Sequence, residues 1–273
     1  MIQYGFVKIL VLTLLFALAG FIDSIAGGGG LVSLTSLYAA GLPAVNAVST
    51  NKFSMTFGTL FATFNYAKEK KIVWRLVIPS VLFALIGSTL GAQLALRYAD
   101  TMLRYMLLVV LPILTFLTLR KKEEKGGGMI KVSDNPLSFN ISSLSYVVSA
   151  VASFAIGVYD GFFGPAAGSF YALAFVTLCG FNLAKATAHA KLLNATSNIG
   201  GLLLFILGGK VIWATGFVML VGQFLGARMG SRLVLSKGQK LIRPMIVIVS
   251  AVMSAKLLYD SHGQEILHWL GMN

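Results

Sequence analysis

Acidic side chains are scarce in this sequence. Asp and Glu number nine against 22 Lys and Arg in 273 residues. Charges of both signs make up 11% of the chain, where a soluble domain carries about 25%. That scarcity excludes an ordinary soluble domain. Cysteine occurs once, at Cys179, which excludes an intramolecular disulfide and any cysteine-cluster metal site. Cys179 lies in an apolar run and reads as a small packing residue. Histidine occurs three times, and His262 and His268 fall in a polar tail. No H-E-x-x-H, no G-x-S-x-G and no Cys–His arrangement is present, and Ser24 beside Asp23 is no nucleophile motif. The chain therefore does not read as an enzyme, and it implies no cofactor and no metal.

What fills the sequence is apolar. Hydrophobic residues make up 57% of it, and the mean hydropathy is +0.83. This is the composition of an all-α polytopic membrane protein, in which each crossing needs about 20 apolar residues. The net charge of +13 is no sign of a nucleic-acid partner. The basic residues sit mostly in short loops, as the positive-inside rule places them. Lys8 ahead of an apolar run, with Ala17-Leu18-Ala19 beyond, resembles a signal peptide. We expect it to be retained, because the run leads straight into a segment with an internal partner.

That segment spans Gly20 to Lys52. Asp23 closes an apolar run, Gly27 to Gly30 follow, and a short apolar stretch ends at Gly41-Leu42-Pro43. Lys52 lies about nine residues into the next helix. The second half repeats the order. Asp160 and the stretch Gly164 to Gly168 lead through Cys179-Gly180 to His189-Ala190-Lys191. Asp23 aligns with Asp160, Lys52 with Lys191, Lys71–Trp74 with Lys210–Trp213, and Gly87/Gly91 with Gly222/Gly226. Helices are predicted over residues 4–26, 43–66, 74–96 and 102–119, then 142–159, 182–207, 211–233 and 241–259. Two shorter segments, 31–40 and 169–178, either span or re-enter. The expected organisation is a first repeat over 1–119, a cytoplasmic linker over 120–136, a second repeat over 137–260 and a tail over 261–273.

Loop charge bears on orientation. Lys68, Lys70, Lys71 and Arg75 crowd one loop, whose repeat partner holds only Lys210. Arg97 and Arg104 mark the next, whose partner holds Arg228, Arg232, Lys237, Lys240 and Arg243. The bias swaps sides between the halves, which favours an inverted repeat with both termini outside. A parallel repeat with re-entrant short segments is the alternative.

Charges at membrane depth are costly and usually face a cavity or each other. Asp23 and Asp160 are the acids in or beside the apolar runs, and Lys52 and Lys191 are the bases well inside predicted helices. Each Asp either neutralises a Lys and pins two broken helices, or the lysines line an anion path while the acids keep them charged or carry coupling protons. The two roles can coexist. Gly28, Gly29 and Gly30 offer free N–H groups at a helix start, which attract anions, or else simply allow close packing. Thr50, Asn51 and Asn194 thicken the site. His189 carries a proton or packs between helices.

These residues carry a resemblance. D-S-I-A-G-G-G-G-L at Asp23–Leu31, G-L-P at Gly41–Pro43 and S-T-N-K at Ser49–Lys52 resemble the sulfite exporter TauE/SafE family, also called the 4-toluene sulfonate uptake permeases. The second half is degenerate: Gly164-Pro-Ala-Ala stands for the four glycines, and His189-Ala-Lys191 for Thr-Asn-Lys. The resemblance implies an inner-membrane permease for a small sulfur-containing anion such as sulfite, sulfoacetate or an organosulfonate. Its partners would be that solute and the lipid bilayer, with homo-oligomerisation left open. A channel-like anion conductor and a non-transporting scaffold or sensor are the rival readings.

Overall fold

A computed structural model of the chain describes residues 6–26, 28–68, 72–120, 143–181 and 183–237. All regular structure in these residues is helical, in the order α1 (Phe6–Ala26), α2 (Gly29–Ala39), α3 (Ala44–Lys68), α4 (Trp74–Arg120), α5 (Ser143–Phe162), α6 (Ala167–Cys179), α7 (Leu183–Leu207) and α8 (Trp213–Lys237). The two helices expected over 74–96 and 102–119 form the one element α4. A single non-helical residue, Tyr98, interrupts it at φ −125° and ψ 15°. The helix expected over 241–259, the tail and all of the linker beyond Arg120 lie outside the described residues.

The distribution of polarity is that of a protein solvated by lipid. Apolar side chains face outward, among them Leu14, Leu82, Ile86, Val151, Phe217, Val221 and Leu225. The buried set holds the polar ones. On α3 these are Ser49, Thr50, Asn51, Lys52, Ser54, Thr56, Thr59 and Thr63; on α7 they are Thr187, His189, Lys191, Asn194, Ser197 and Asn198. Most of the hydroxyls return their proton to a carbonyl one turn back, as Thr56 does to Lys52 at 2.7 Å and Thr63 to Thr59 at 2.7 Å. Such bonds satisfy a polar group inside an apolar medium without a partner helix. Among the described residues, Val7–Ile25, Trp74–Tyr98 and Lys185–Leu207 are long and apolar enough to cross a membrane. α3 and α8 match them in length at 25 residues each. Their polar inner faces lower their apparent hydropathy.

α2 has 11 residues and α6 has 13, about 16 and 20 Å at 1.5 Å per residue. Alone, neither spans a hydrocarbon core of about 30 Å. But α2 runs back along α1, from Gly29 against Ala19 to Ala40, whose carbonyl accepts from Lys8, and so returns the chain toward the side where α1 begins. α2 is sealed inside the bundle, with Gly29 through Leu37 all buried. This explains why it lacks a polar face.

Packing recurs between the halves with the partners exchanged. α4 lies against α5, and α8 against α1. Gly87 and Gly91 on α4 meet backbone of Phe154 and Val158 on α5, while Gly222 and Gly226 on α8 meet backbone of Thr13 and Ala17 on α1. A Cβ at any of the four would overlap a carbonyl oxygen of the facing helix, so the helices approach as closely as small residues allow. α3 likewise packs on α8, and α7 on α4.

Candidate functional site

The four charges at membrane depth form two crossed ion pairs. Lys52 Nζ on α3 donates to Asp160 Oδ1 on α5 at 3.1 Å and to Asn198 Oδ1 on α7 at 3.2 Å. Lys191 Nζ on α7 donates to Asp23 Oδ2 on α1 at 3.2 Å and to the Asp23 carbonyl. Each lysine thus pairs with the acid of the other half. All four side chains are 3% exposed or less. Room for the Lys52 stem comes from Gly201, where a Cβ would press on its last methylenes.

The two glycine turns meet between these pairs. Gly28 caps α2, and the next residue but one, Gly30, faces Gly164 and Pro165 at the start of α6. Gly164 has φ +98°, in the left-handed region where a side chain is strained. Its bare α-carbon also leaves the space that Asp160 Oδ1 and Lys52 Nζ border. Tyr159 fixes the turn by donating its hydroxyl to the Pro165 carbonyl at 2.7 Å. Where the turns meet lies a small cavity lined by Asp23, Gly30, Asn51, Lys52, Asp160 and Asn198, together with Met55, Phe163, Gly164 and Asn194. It has room for roughly one water molecule.

Of the residues singled out in the sequence, Asp23, Asp160, Lys52, Asn51, Asn194 and Gly30 line this cavity. Lys191 stands behind it, turned to Asp23. Gly28 and Gly29 shape the turn, and Gly29 lets α2 pack on the Ala19 carbonyl of α1. Thr50 points elsewhere: its Oγ1 accepts the Ile212 N–H at 3.1 Å and joins α3 to the start of α8. His189 lies against the stacked rings of Phe175 and Phe181, with centroids 5.2 and 4.8 Å away. Its Nε2 accepts the Val73 N–H at 3.0 Å and its Nδ1 bonds the Lys185 carbonyl at 2.7 Å. Both ring nitrogens are thereby engaged in holding helices.

Sequence reasoning gave Met55 and Phe163 no place in the site. Met55 and Phe163 follow Lys52 and Asp160 by three residues, close to one helical turn, and that spacing was the available signal. Ser197 belongs to the polar run after Lys191 that the sequence places along one side of the site, and it reaches one of the acids. Its hydroxyl donates to Asp160 Oδ2, and its carbonyl accepts from Ser88 of α4.

Outward apolar faces around an inner core of paired charges define a multi-pass helical membrane protein with a polar site at depth, built as membrane transporters are. The sequence profile of the sulfite exporter TauE/SafE family matches residues 12–257, and the chain belongs to that family. It is 61% identical over 265 residues to a probable membrane transporter protein, YfcA, of Escherichia coli K12, covering 96% of this chain and 94% of that one. A probable membrane transporter protein of Haemophilus influenzae is 39% identical over 246 residues, covering 89% and 91%. YdhB of Bacillus subtilis, also a probable membrane transporter, is 25% identical over 254 residues, covering 92% and 99%. No solved structure matches the chain. The protein is a membrane transporter, not an enzyme, and its all-helical build is that of the bacterial inner membrane rather than of an outer-membrane barrel.

Proposed function

We propose that this chain is a secondary transporter that moves a small sulfur-containing oxyanion or organosulfonate, of the sulfite or sulfoacetate type, across the plasma membrane. The observation that carries the reading is the crossed ion pairs that flank one cavity. Each ammonium is balanced by a carboxylate, so the resting site is neutral. An entering anion can take the place of a carboxylate beside Lys52 without leaving the lysine bare. Gly30 adds backbone N–H at the positive end of α2. The family is named for sulfite export, which supports the choice of anion.

At its present size the cavity is too small for a sulfur oxyanion, so the lining must part for the anion to enter. The meeting of Gly30 with Gly164 and Pro165 is the natural place for that motion. The recurring contacts with exchanged partners support two inverted repeats whose site lies near the midplane. With no ATPase motif in the sequence, an ion or substrate gradient would drive the flux.

Flux into proteoliposomes tests this with sulfite, sulfoacetate and methanesulfonate, against chloride and nitrate. Saturable flux of one or more sulfur anions is expected. Non-saturating flux would make the protein a conductor, and absence of any anion flux would overturn the reading.

A further inference from the structure

The two acids are equivalent by sequence, but they are not equivalent in the fold. Asp160 has both carboxylate oxygens engaged, Oδ1 with Lys52 and Oδ2 with the Ser197 hydroxyl. Asp23 has only Oδ2 engaged, and its Oδ1 has no hydrogen-bond partner among the described residues. Counting from the two lysines, the position on α3 that matches Ser197 is Gly58. A glycine supplies no hydroxyl, and Gln223 of α8 fills the space beside it instead. Asp23 is 2% exposed, so water outside the protein does not satisfy that oxygen.

The same cavity presents donors. Asn198 uses its Oδ1 to accept from Lys52, which leaves its buried Nδ2 without a partner among the described residues. Asn51 lines the cavity as well, and its buried Oδ1, an acceptor, has no partner among the described residues. Lys52 Nζ and the start of α2 complete the lining. A ligand matched to these groups must offer an O–H to Asp23 Oδ1, with Asn51 Oδ1 as a second acceptor, and bare oxygens to the Asn198 amide and the ammonium. A simple cation fails beside Lys52. An oxyanion with no proton places its oxygen against a carboxylate oxygen. It also adds its full charge to a site whose two lysines and two acids already balance.

Resting on the proposed function, we propose that the site takes its oxyanion in the monoprotonated form, with the O–H donated to Asp23 Oδ1. Fully ionised or aprotic anions are then selected against, and Asp160 holds the fold rather than the proton. The charged and titratable groups around Asp23 are Lys191 of α7, paired with it, and Lys52 of α3 and Asp160 of α5 across the cavity. Tyr66 of α3 donates to the neighbouring Ser24 carbonyl at 3.3 Å, Tyr171 of α6 donates to Ser153, and Arg228 and Arg232 of α8 face outward.

Calorimetric titration of the purified full chain in detergent tests the proposal, with sulfite, sulfate and methanesulfonate as probes. Sulfite gains its second charge near neutral pH, whereas the other two carry no O–H there. Apparent sulfite affinity should fall about tenfold per pH unit above that ionisation, following one lost proton. Sulfate and methanesulfonate should bind at least tenfold more weakly than sulfite at the acid end. In Asp23→Asn the amide can itself donate, so methanesulfonate should gain at least tenfold relative to sulfite. Sulfite affinity that stays flat or rises with pH in the wild type overturns the proposal and leaves anion transport standing. Failure of every probe to bind the folded wild type at any pH overturns both.

Discussion

Replacing Lys52 with Met keeps an unbranched side chain of similar length and removes the ammonium. The structure says what is then left behind. Asp160 would keep the Ser197 hydroxyl but lose its one cationic partner among the described residues, at 3.1 Å, inside a site where both side chains are 3% exposed or less. Breaking a buried pair from one side costs about 3–5 kcal/mol, because the remaining charge is uncompensated. At about 1.4 kcal/mol per tenfold, the folding equilibrium should fall by roughly two to four orders of magnitude. Asn198 Oδ1 also loses its donor, which places the cost toward the upper end. The partner substitution Asp160→Asn removes the stranded charge and keeps an oxygen for Ser197. The double variant should therefore return to within about 1–2 kcal/mol of wild type, since a buried pair as a whole contributes little net stability. Thermal or denaturant unfolding in detergent, followed by tryptophan fluorescence, measures all four corners of the cycle. The double variant should fold yet transport poorly, which separates the structural role of the pair from its role in the anion path. A single variant within about 1 kcal/mol of wild type, or a double variant no more stable than the single, would refute the coupling.

Three further outcomes follow from the packing and the charges. Gly91→Val or Gly226→Val should cost about 1–3 kcal/mol or more and lower folded yield, because the new side chain meets the carbonyl of Val158 or Ala17; wild-type yield and melting would contradict the close approach. His189→Leu strips a partner from the Val73 N–H and should lose about 1–3 kcal/mol while leaving the pH profile of transport unchanged, whereas a shifted profile would make the imidazole a proton carrier. In a Cys179→Ala background, single cysteines at Lys70 and Lys237 should both label from the cytoplasm; labelling from opposite sides would sink the inverted arrangement.

The sequence by itself determined the solvent and the parts of the site. Scarce charge and long apolar runs dictate helices in lipid, because no other open structure satisfies its own backbone there. The Pro43 and Trp74 helix starts, the short lengths of α2 and α6 and the packing glycines were legible for the same local reasons. Two acids and two lysines at membrane depth were legible because charge there is too costly to be incidental. Which acid serves which lysine was not. Asp160 is 108 residues from Lys52 and Asp23 is 168 from Lys191, and the pairing exists only once the halves interlock. Tertiary packing also decided that His189 and Thr50 turn away to bind Val73 and Ile212. A helix can present a polar residue either to a cavity or to a neighbour's free backbone group, and spacing along the chain does not distinguish the two. The unequal surroundings of Asp23 and Asp160 are of the same kind. They depend on the Ser197 hydroxyl that reaches Asp160, for which the matching position on α3, Gly58, offers no counterpart, and only the assembled bundle brings that hydroxyl to the acid.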